Sequence, residues 1–229
     1  MVKRRKVVIA FVGVKGGIGK STLAIACGCE WSRRGLRVVI LDLDVEQRAS
    51  TKFYRNAEEH EVEGGPMVVP MTKENFKIEF EATARNYDVV VIDLPGTIDR
   101  TAAVAMGFSH LVVLPCGPAP IEVEAMGETM SKVGDALELR PDIDAVIVLC
   151  KLQRGTTIAR QLRESFSEAQ IAVAKTDLTL LVNYSECYAL GLGPTTYDLK
   201  SVASEEIQAL CSELDGRLQR KNRSAKRAV

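Results

Sequence analysis

The chain has 229 residues, of which 46% are hydrophobic, and this is enough to bury one sizeable core. Thirty basic residues balance thirty acidic ones, so the net charge excludes a global attraction to nucleic acid or to a membrane surface. No apolar stretch approaches the roughly 20 residues of a spanning helix, and the cysteines lack C-x-x-C spacing. We therefore expect a cytoplasmic protein with reduced thiols and no membrane partner.

Short apolar runs rich in Val and Ile predict strands that are buried on both faces of a sheet. The runs lie at residues 7–13, 37–41, 88–92, 110–114 and 145–149, and a shorter one lies at residues 67–69. Helical patterns separate these runs along the chain. We expect an α/β fold with a doubly wound, mostly parallel sheet, helices on both faces, and ligands bound beyond the carboxyl ends of the strands.

The whole pattern predicts a single domain at residues 1–216. Its last helix is indicated by an apolar stripe of Ile207, Cys211, Leu214 and Leu218. After Gly216 the sequence loses its apolar period and basic residues accumulate, which predicts a basic tail at residues 217–229 that frays into disorder.

A glycine-rich stretch follows the first predicted strand and ends in Gly19-Lys20-Ser21, as phosphate-binding loops do. Lys20 is placed for the β- and γ-phosphates and Ser21 for a Mg²⁺ ion. Lys15 comes too early in the loop to do the job of Lys20, so the loop holds one lysine more than the pattern needs. The predicted phosphate contacts come from consecutive residues: Gly16, Gly17, Ile18, Gly19, Lys20, Ser21 and Thr22.

The stretch K-G-G-x-G-K-[ST] resembles the deviant Walker A motif of the ParA/MinD ATPases. Leu41-Asp42-Leu43-Asp44 is similar to the D-x-D motif of that family, and residues 89–96 are similar to its Walker B strand and switch. Residues 111–120 resemble the strand and proline-rich turn of small plasmid-type partition ATPases, so the resemblance covers roughly residues 6–215.

The resemblance implies a P-loop ATPase that uses ATP and Mg²⁺. Asp93 ends its strand at the edge where the loop emerges, so its carboxylate can hold Mg²⁺. By resemblance, Asp42 supports the metal and Asp44 orients the attacking water. Asp42 also admits a simpler interpretation, as a carboxylate that only caps a strand end.

The resemblance also gives Lys15 a role in a second subunit. In the family, the corresponding lysine crosses the interface of an ATP-bound homodimer and touches the nucleotide of its partner. ATP is expected over GTP because no guanine motif is present: Lys151 follows a strand, but Gln153 stands in the place of the aspartate. Adenine contacts from Pro115 and Pro118 are expected by analogy.

Two features depart from the family pattern. Val45 and Glu46 follow Asp44 where members usually have proline and glutamine, which leaves turnover and the geometry of the first switch open. Leu180 and Leu181 stand where plasmid-type members often place an arginine ahead of the stretch at residues 182–184, which weakens any transfer of that DNA-binding surface.

The leading hypothesis is a nucleoid-associated partition ATPase of the ParA type. Its ATP dimer would bind DNA without sequence preference, and a ParB-like adaptor bound to the centromere or cargo would stimulate hydrolysis and release. Phosphate contacts are then expected from basic residues outside the loop, although solvated surface positions are an equally simple interpretation of each. The candidates are Arg154, Arg160, Arg163, Arg217, Arg220 and Lys221.

Two alternatives remain from the same sequence. The first is a MinD-like or organelle-positioning ATPase that places a protein cargo, although the tail lacks the apolar face that a membrane-binding helix needs. The second is a metabolic enzyme on the same scaffold, such as a reductase, an amidoligase-type synthetase or a tyrosine kinase. The segment after Asp93 has no cysteine pair for a reductase, and the tail has no tyrosine.

Overall fold

The structure, a computed structural model, describes residues 6–167 and 171–227, with side chains up to Lys221. The remaining residues, including the end of the expected basic tail, lie outside this description. Seven strands form one sheet in which every pair of neighbours is parallel, in the order β3-β2-β4-β1-β5-β6-β7. The strands are β1 (Val7–Phe11), β2 (Val38–Asp42), β3 (Met67–Pro70), β4 (Val89–Asp93), β5 (Leu111–Cys116), β6 (Asp144–Leu149) and β7 (Ala172–Val173).

Helices connect the strands and cover both faces of the sheet. They are α1 (Lys20–Arg33), α2 (Ala49–Glu59), α3 (Lys73–Ala84), α4 (Arg100–Phe108), α5 (Pro120–Leu139), α6 (Ile158–Ser165), α7 (Asn183–Ala189), α8 (Pro194–Tyr197) and α9 (Val202–Arg227). Alternate residues of β1 enter different cores: Ala10 packs on one face and Phe11 on the other. The predicted doubly wound α/β fold is confirmed, and the sheet is wholly parallel.

The register of the central strands aligns their carboxyl ends. Phe11 of β1 pairs with Asp93 of β4, and Asp42 of β2 pairs with the same Asp93. Because these three strands are adjacent and parallel, the loops that leave them meet at one edge of the sheet. Both aspartates therefore stand beside the glycine-rich loop that follows β1.

The chain after Gly216 differs from the frayed tail that the sequence predicts. Helix α9 continues to Arg227. Leu218 is buried in the core, and the Arg217 guanidinium donates to both carboxylate oxygens of Asp144 at 2.9 and 3.0 Å. These contacts hold the start of the basic segment against β6, because a buried side chain and a bidentate ion pair both oppose fraying.

No helix within residues 6–167 and 171–227 has both the length and the apolar character that crossing a membrane requires. All six cysteines are free thiols in buried positions.

Candidate functional site

The loop between β1 and α1 is shaped to receive phosphate. Gly17 and Gly19 adopt positive φ angles of 78° and 100°, in the region that favours glycine. Gly19 is the N-cap of α1 and supplies no side-chain acceptor, so the first N–H groups of this helix have no side-chain cap. An uncapped helix N-terminus that follows a glycine loop attracts anions through these N–H groups and the helix dipole.

Lys20 is a buried cation at the base of this loop. Its side chain is 6% exposed, and its ammonium donates to the Lys15 carbonyl at 2.9 Å. Burial lowers the pKa of Lys20, while Asp93 and Asp44 act in the opposite direction. Among the described residues its ammonium has one hydrogen-bond acceptor, a neutral carbonyl, so a phosphate could add a charged acceptor at this position.

Ser21 and Asp93 bring oxygen ligands together beside Lys20. The Ser21 hydroxyl donates to one Asp93 oxygen at 3.1 Å, and the Ser50 hydroxyl donates to the other at 2.7 Å. Burial, and then the neighbouring Asp42 carboxylate, raise the pKa of Asp93 to about 7. A bound divalent cation would oppose this effect by favouring the carboxylate.

The oxygens of Ser21 and Asp93 fit Mg²⁺, which prefers hard oxygen ligands and keeps several waters. The described residues hold no cluster of three or more His, Cys, Asp or Glu side chains arranged for a metal. The arrangement instead suits an ion bound by one or two protein oxygens together with substrate phosphates.

Asp42 is bound by its neighbours on both oxygens. One oxygen accepts from the Thr51 N–H at 2.8 Å and the Thr51 hydroxyl at 2.6 Å, and the other accepts from the Asp44 N–H at 3.2 Å. Burial raises its pKa despite these hydrogen bonds. In this arrangement Asp42 positions the start of α2 and the backbone of Asp44, and it remains adjacent to Asp93 through their strand pairing.

Asp44 organises the turn that carries the departure from the family pattern. Its carboxylate accepts from the Gln47 N–H at 3.0 Å, and its carbonyl accepts from the Arg48 N–H at 2.8 Å. Arg48, the N-cap residue of α2, then adopts a left-handed conformation with φ 49°. The turn closes without proline because the Asp44 side chain caps it.

The segment after β4 packs directly on the phosphate loop. A side-chain carbon at Gly96 would lie 2.9 Å from the Gly16 nitrogen and 3.1 Å from the Lys15 carbonyl carbon. Only glycine allows this approach, so the segment that resembles the second switch contacts the loop through its backbone. Asp99 in turn caps α4 and forms an ion pair with Lys73.

A cavity of about 1010 Å³ opens above the loop. Lys20, Ser21 and Asp44 line it together with the Pro95–Gly96 segment. Its far side is formed by residues that the sequence did not assign to the nucleotide site: Cys150, Lys151, Leu178, Thr179, Leu180, Leu181, Tyr184, Ser185 and Tyr188. They come from β6 onward, and only the folded chain brings them to the loop.

The two prolines with expected adenine contacts lie outside the lining of this cavity. Pro115 is buried within β5, and Pro118 lines a separate, smaller cleft of about 520 Å³. Neither proline lines the large cavity. Lys151 lines the large cavity and the smaller cleft. The apolar surface beside the loop comes instead from the segment around Leu178 and from Tyr184, whose buried hydroxyl has no partner in the described part of the chain.

Residues 9–190 match the CobQ/CobB/MinD/ParA nucleotide binding domain. The chain belongs to this family. The carboxysome distribution protein A of Halothiobacillus neapolitanus is 20% identical over 216 residues, which cover 93% of this chain and 99% of that protein. The chromosome partitioning protein ParA of Caulobacter vibrioides is 25% identical over 265 aligned positions, covering 96% and 97% of the two chains.

Solved structures of the family share this fold. A Borrelia burgdorferi protein named for plasmid partition and bound to AMPPNP has a TM-score of 0.71 at 17% identity, with 93% of this chain and 100% of that chain covered. The cobyrinic acid a,c-diamide synthase of Mycobacterium smegmatis, with an ATP analogue and magnesium, has a TM-score of 0.74 at 16% identity and 91% and 94% coverage. MinD of Pyrococcus horikoshii with Mg-ADP has a TM-score of 0.72 at 16% identity and 94% and 98% coverage.

The extra lysine of the family loop stands apart from the cavity. Lys15 is half-buried, but it is not among the residues that line the cavity beside Lys20 and Ser21. Among the residues whose side chains are described, none forms a hydrogen bond or ion pair with its ammonium. The structure therefore separates the two loop lysines by environment.

The six basic residues expected at DNA fall into two groups. Arg154 and Arg160 follow the carboxyl end of β6, and their side chains are 66% and 74% exposed. Arg163 is near them but is held by Asp177 and the Ala174 carbonyl. At the other end of β6, Arg217 pairs with Asp144, Lys221 donates to the Pro141 carbonyl, and Arg220 is exposed.

Proposed function

We propose that this protein is an ATP-dependent dimerisation switch of the ParA type. In the proposed cycle it binds ATP with Mg²⁺, forms a homodimer, binds DNA without sequence preference, and hydrolyses ATP when a ParB-like adaptor stimulates it. The cycle would segregate plasmid or chromosomal DNA, with the protein in the cytoplasm on the nucleoid. Family membership supports the nucleotide site, and the contrast between the loop lysines supports the switch.

The observation that carries the proposal is the environment of Lys15. Lys20 is buried under the cavity of its own chain, whereas Lys15 lies outside that cavity, and its ammonium has no hydrogen-bond or ion-pair partner among the described side chains. A cation in this position is available to a nucleotide held by a second subunit. Because a cation supplied across a water-poor interface is worth more than one in solvent, hydrolysis would then depend on dimerisation.

Each residue of the site has a defined part in this chemistry. Lys20 and the loop N–H groups bind the phosphates, and Ser21 with Asp93 would hold Mg²⁺. When bound, that ion neutralises charge on the β- and γ-phosphate oxygens. Asp44 projects from the turn after β2 into the cavity and is the candidate to orient water toward the γ-phosphate. Asp42 fixes the backbone of Asp44 and thereby its position.

The turn after Asp44 and the Gly96 segment are the candidate switches. Both line the cavity, and Gly96 rests on the backbone of the phosphate loop. A γ-phosphate would make different contacts with them than a diphosphate does, which supplies the free-energy difference between two states. The dimer would thus form with ATP and separate after hydrolysis.

The alternative is an ATPase that positions a protein cargo with the same cycle. It is favoured by the likeness, over 93% of this chain, to a protein named for carboxysome distribution. Both functions need the same nucleotide site, so only the partner distinguishes them.

A mobility-shift titration with random-sequence duplex DNA tests the DNA branch of the proposal. We expect a shift that requires ATP and Mg²⁺ and that weakens steeply with salt, because phosphate contacts release counterions. The double variant Arg154→Ala/Arg160→Ala should weaken binding and flatten the salt dependence. Arg163→Ala is the comparison variant, since its side chain is held by the fold. An absence of any ATP-dependent shift at low salt would favour cargo positioning instead.

A further inference from the structure

Lys151 follows β6 and reaches the phosphate loop. Its ammonium donates to the Gly17 carbonyl at 2.6 Å and to the Glu122 carboxylate at 2.7 Å. We propose that Lys151 is a positioning residue that fixes the conformation of the loop and strengthens nucleotide binding through the phosphates, not through the base. The inference rests on the proposed function, because it assumes that the loop binds ATP.

The Lys151 ammonium contacts a glycine of the phosphate loop. Gly17 has φ 78° and is exposed, and a glycine without a side chain has many accessible backbone conformations. A charge-assisted hydrogen bond to its carbonyl selects one of them. Since a trans peptide is planar, with its C=O and N–H pointing in opposite directions, the same contact fixes the direction of the Ile18 N–H.

Glu122 holds the ammonium of Lys151 in place. The Glu122 carboxylate lies in the first turn of α5, and its side chain is only 10% exposed. Gly117 makes room for it, because a side-chain carbon at that position would lie 2.0 Å from a Glu122 oxygen. Lys151 thus connects α5 to the phosphate loop. The ion pair with Glu122 holds its flexible side chain at the Gly17 carbonyl.

The backbone of Lys151 is itself unusual. Its φ is 56°, which is rare for a residue with a side chain. Strained conformations of this kind persist where the surroundings determine them and are concentrated at functional positions. At this position the surroundings include the two hydrogen bonds that the Lys151 ammonium donates, to Gly17 and to Glu122.

Two variants remove the ammonium in different ways. Lys151→Met keeps the length of the side chain, whereas Lys151→Gly relieves the positive φ and so preserves the fold. Lys200→Met, at an exposed position that lines neither cavity, is the matched control. Thermal unfolding without nucleotide verifies that each variant is folded.

The test compares ATP with inorganic tripolyphosphate, which has phosphates but no base. Each competes against a fluorescent ATP analogue in the full-length protein with Mg²⁺. We expect Lys151→Met and Lys151→Gly to bind both ligands about tenfold more weakly than the parent and the control do, as loss of one charge-assisted hydrogen bond implies.

The outcomes separate this inference from the proposed function. Unchanged binding by both Lys151 variants, in a parent that binds ATP, would overturn the inference alone. Weaker binding of ATP with unchanged binding of tripolyphosphate would also overturn it, since Lys151 would then act on the base. A parent that binds neither ligand would refute the proposed function and the inference with it.

Discussion

The Ser21 hydroxyl donates a hydrogen bond to the Asp93 carboxylate at 3.1 Å, and this bond joins the first turn of α1 to the end of β4. The two residues are 72 positions apart in the sequence, and the parallel pairing of β1 with β4 brings them together. Their oxygens form the candidate Mg²⁺ site. Because Asp93 is fully buried, its ionisation is linked to the stability of the whole sheet.

The first prediction concerns the stability of the metal-free protein as a function of pH. Burial raises the pKa of Asp93 from 3.8 to about 7, so the folded state favours the neutral acid. The stabilisation from neutral Asp93 is complete below the pKa that this side chain has in the unfolded chain. It is lost as pH rises through about 7, the pKa of Asp93 in the folded state. In EDTA the Tm should therefore fall by several degrees between pH 5 and pH 8.

Asp93→Asn is the matched variant for this measurement, because an amide of the same shape cannot ionise. Its Tm should depend less on pH than that of the parent over the same interval. Equal pH dependence in the two proteins, measured by scanning calorimetry, would show that another group is responsible.

Lys20→Ala should reduce the affinity for ATP by about 100-fold or more, because a buried charge and its phosphate contacts disappear together. Equilibrium binding of a fluorescent ATP analogue measures the loss. Lys52→Ala, at an exposed position on α2, serves as the control and should bind normally. Near-parental affinity in Lys20→Ala would mean that nucleotide binds elsewhere.

Lys15→Gln should separate binding from hydrolysis. Its ATP affinity should stay within about twofold of the parent, because the Lys15 side chain does not line the cavity of its own chain and its backbone carbonyl is retained. Stimulated hydrolysis should fall by about 100-fold or more, as removal of a cation supplied in trans does. The measurement is phosphate release with and without an adaptor or DNA. A large loss of ATP affinity would place Lys15 in its own site.

Asp44→Asn should slow hydrolysis by about 100-fold while ATP remains bound, because it loses the charge that orients water. The amide oxygen can still accept from the Gln47 N–H, so the turn is preserved. Asp44→Ala removes both the charge that orients water and the acceptor for the Gln47 N–H. Comparing the two variants therefore separates catalysis from support of the turn. Single-turnover hydrolysis is the readout, and a normal rate in Asp44→Asn would exclude the proposed role.

The sequence predicted the main strands because each is a short, continuous apolar run between helical patterns. The expected runs at residues 37–41 and 88–92 correspond to β2 and β4 within one residue at each end. Strand β7 was missed because it has only two residues, Ala172 and Val173, which is too short for a period. The phosphate side of the site was also predictable, since it lies within motifs that are local in sequence.

The opposite side of the cavity could not be predicted, because its residues share no local pattern. Leu178 and Tyr184 reach the loop only through the order of β5, β6 and β7 in the sheet. Pro115 lies at the boundary of a strand and a turn: the predicted apolar run ends at residue 114, whereas β5 continues to Cys116. The helical start of the basic tail could not be predicted from composition either. Arg217 pairs there with Asp144, which is 73 positions away in the sequence.

The central claim is that ATP makes this chain a dimer, and the mass in solution tests it most directly. Light scattering coupled to size exclusion should be measured with no nucleotide, with ADP and with ATP, all in the presence of Mg²⁺. Asp44→Asn is included because we expect it to prolong the ATP state. With ATP, but not with ADP or without nucleotide, we expect twice the mass of a 25.0 kDa chain. The conversion to dimer should be most complete in Asp44→Asn. The same mass under all three conditions in both proteins would contradict the claim.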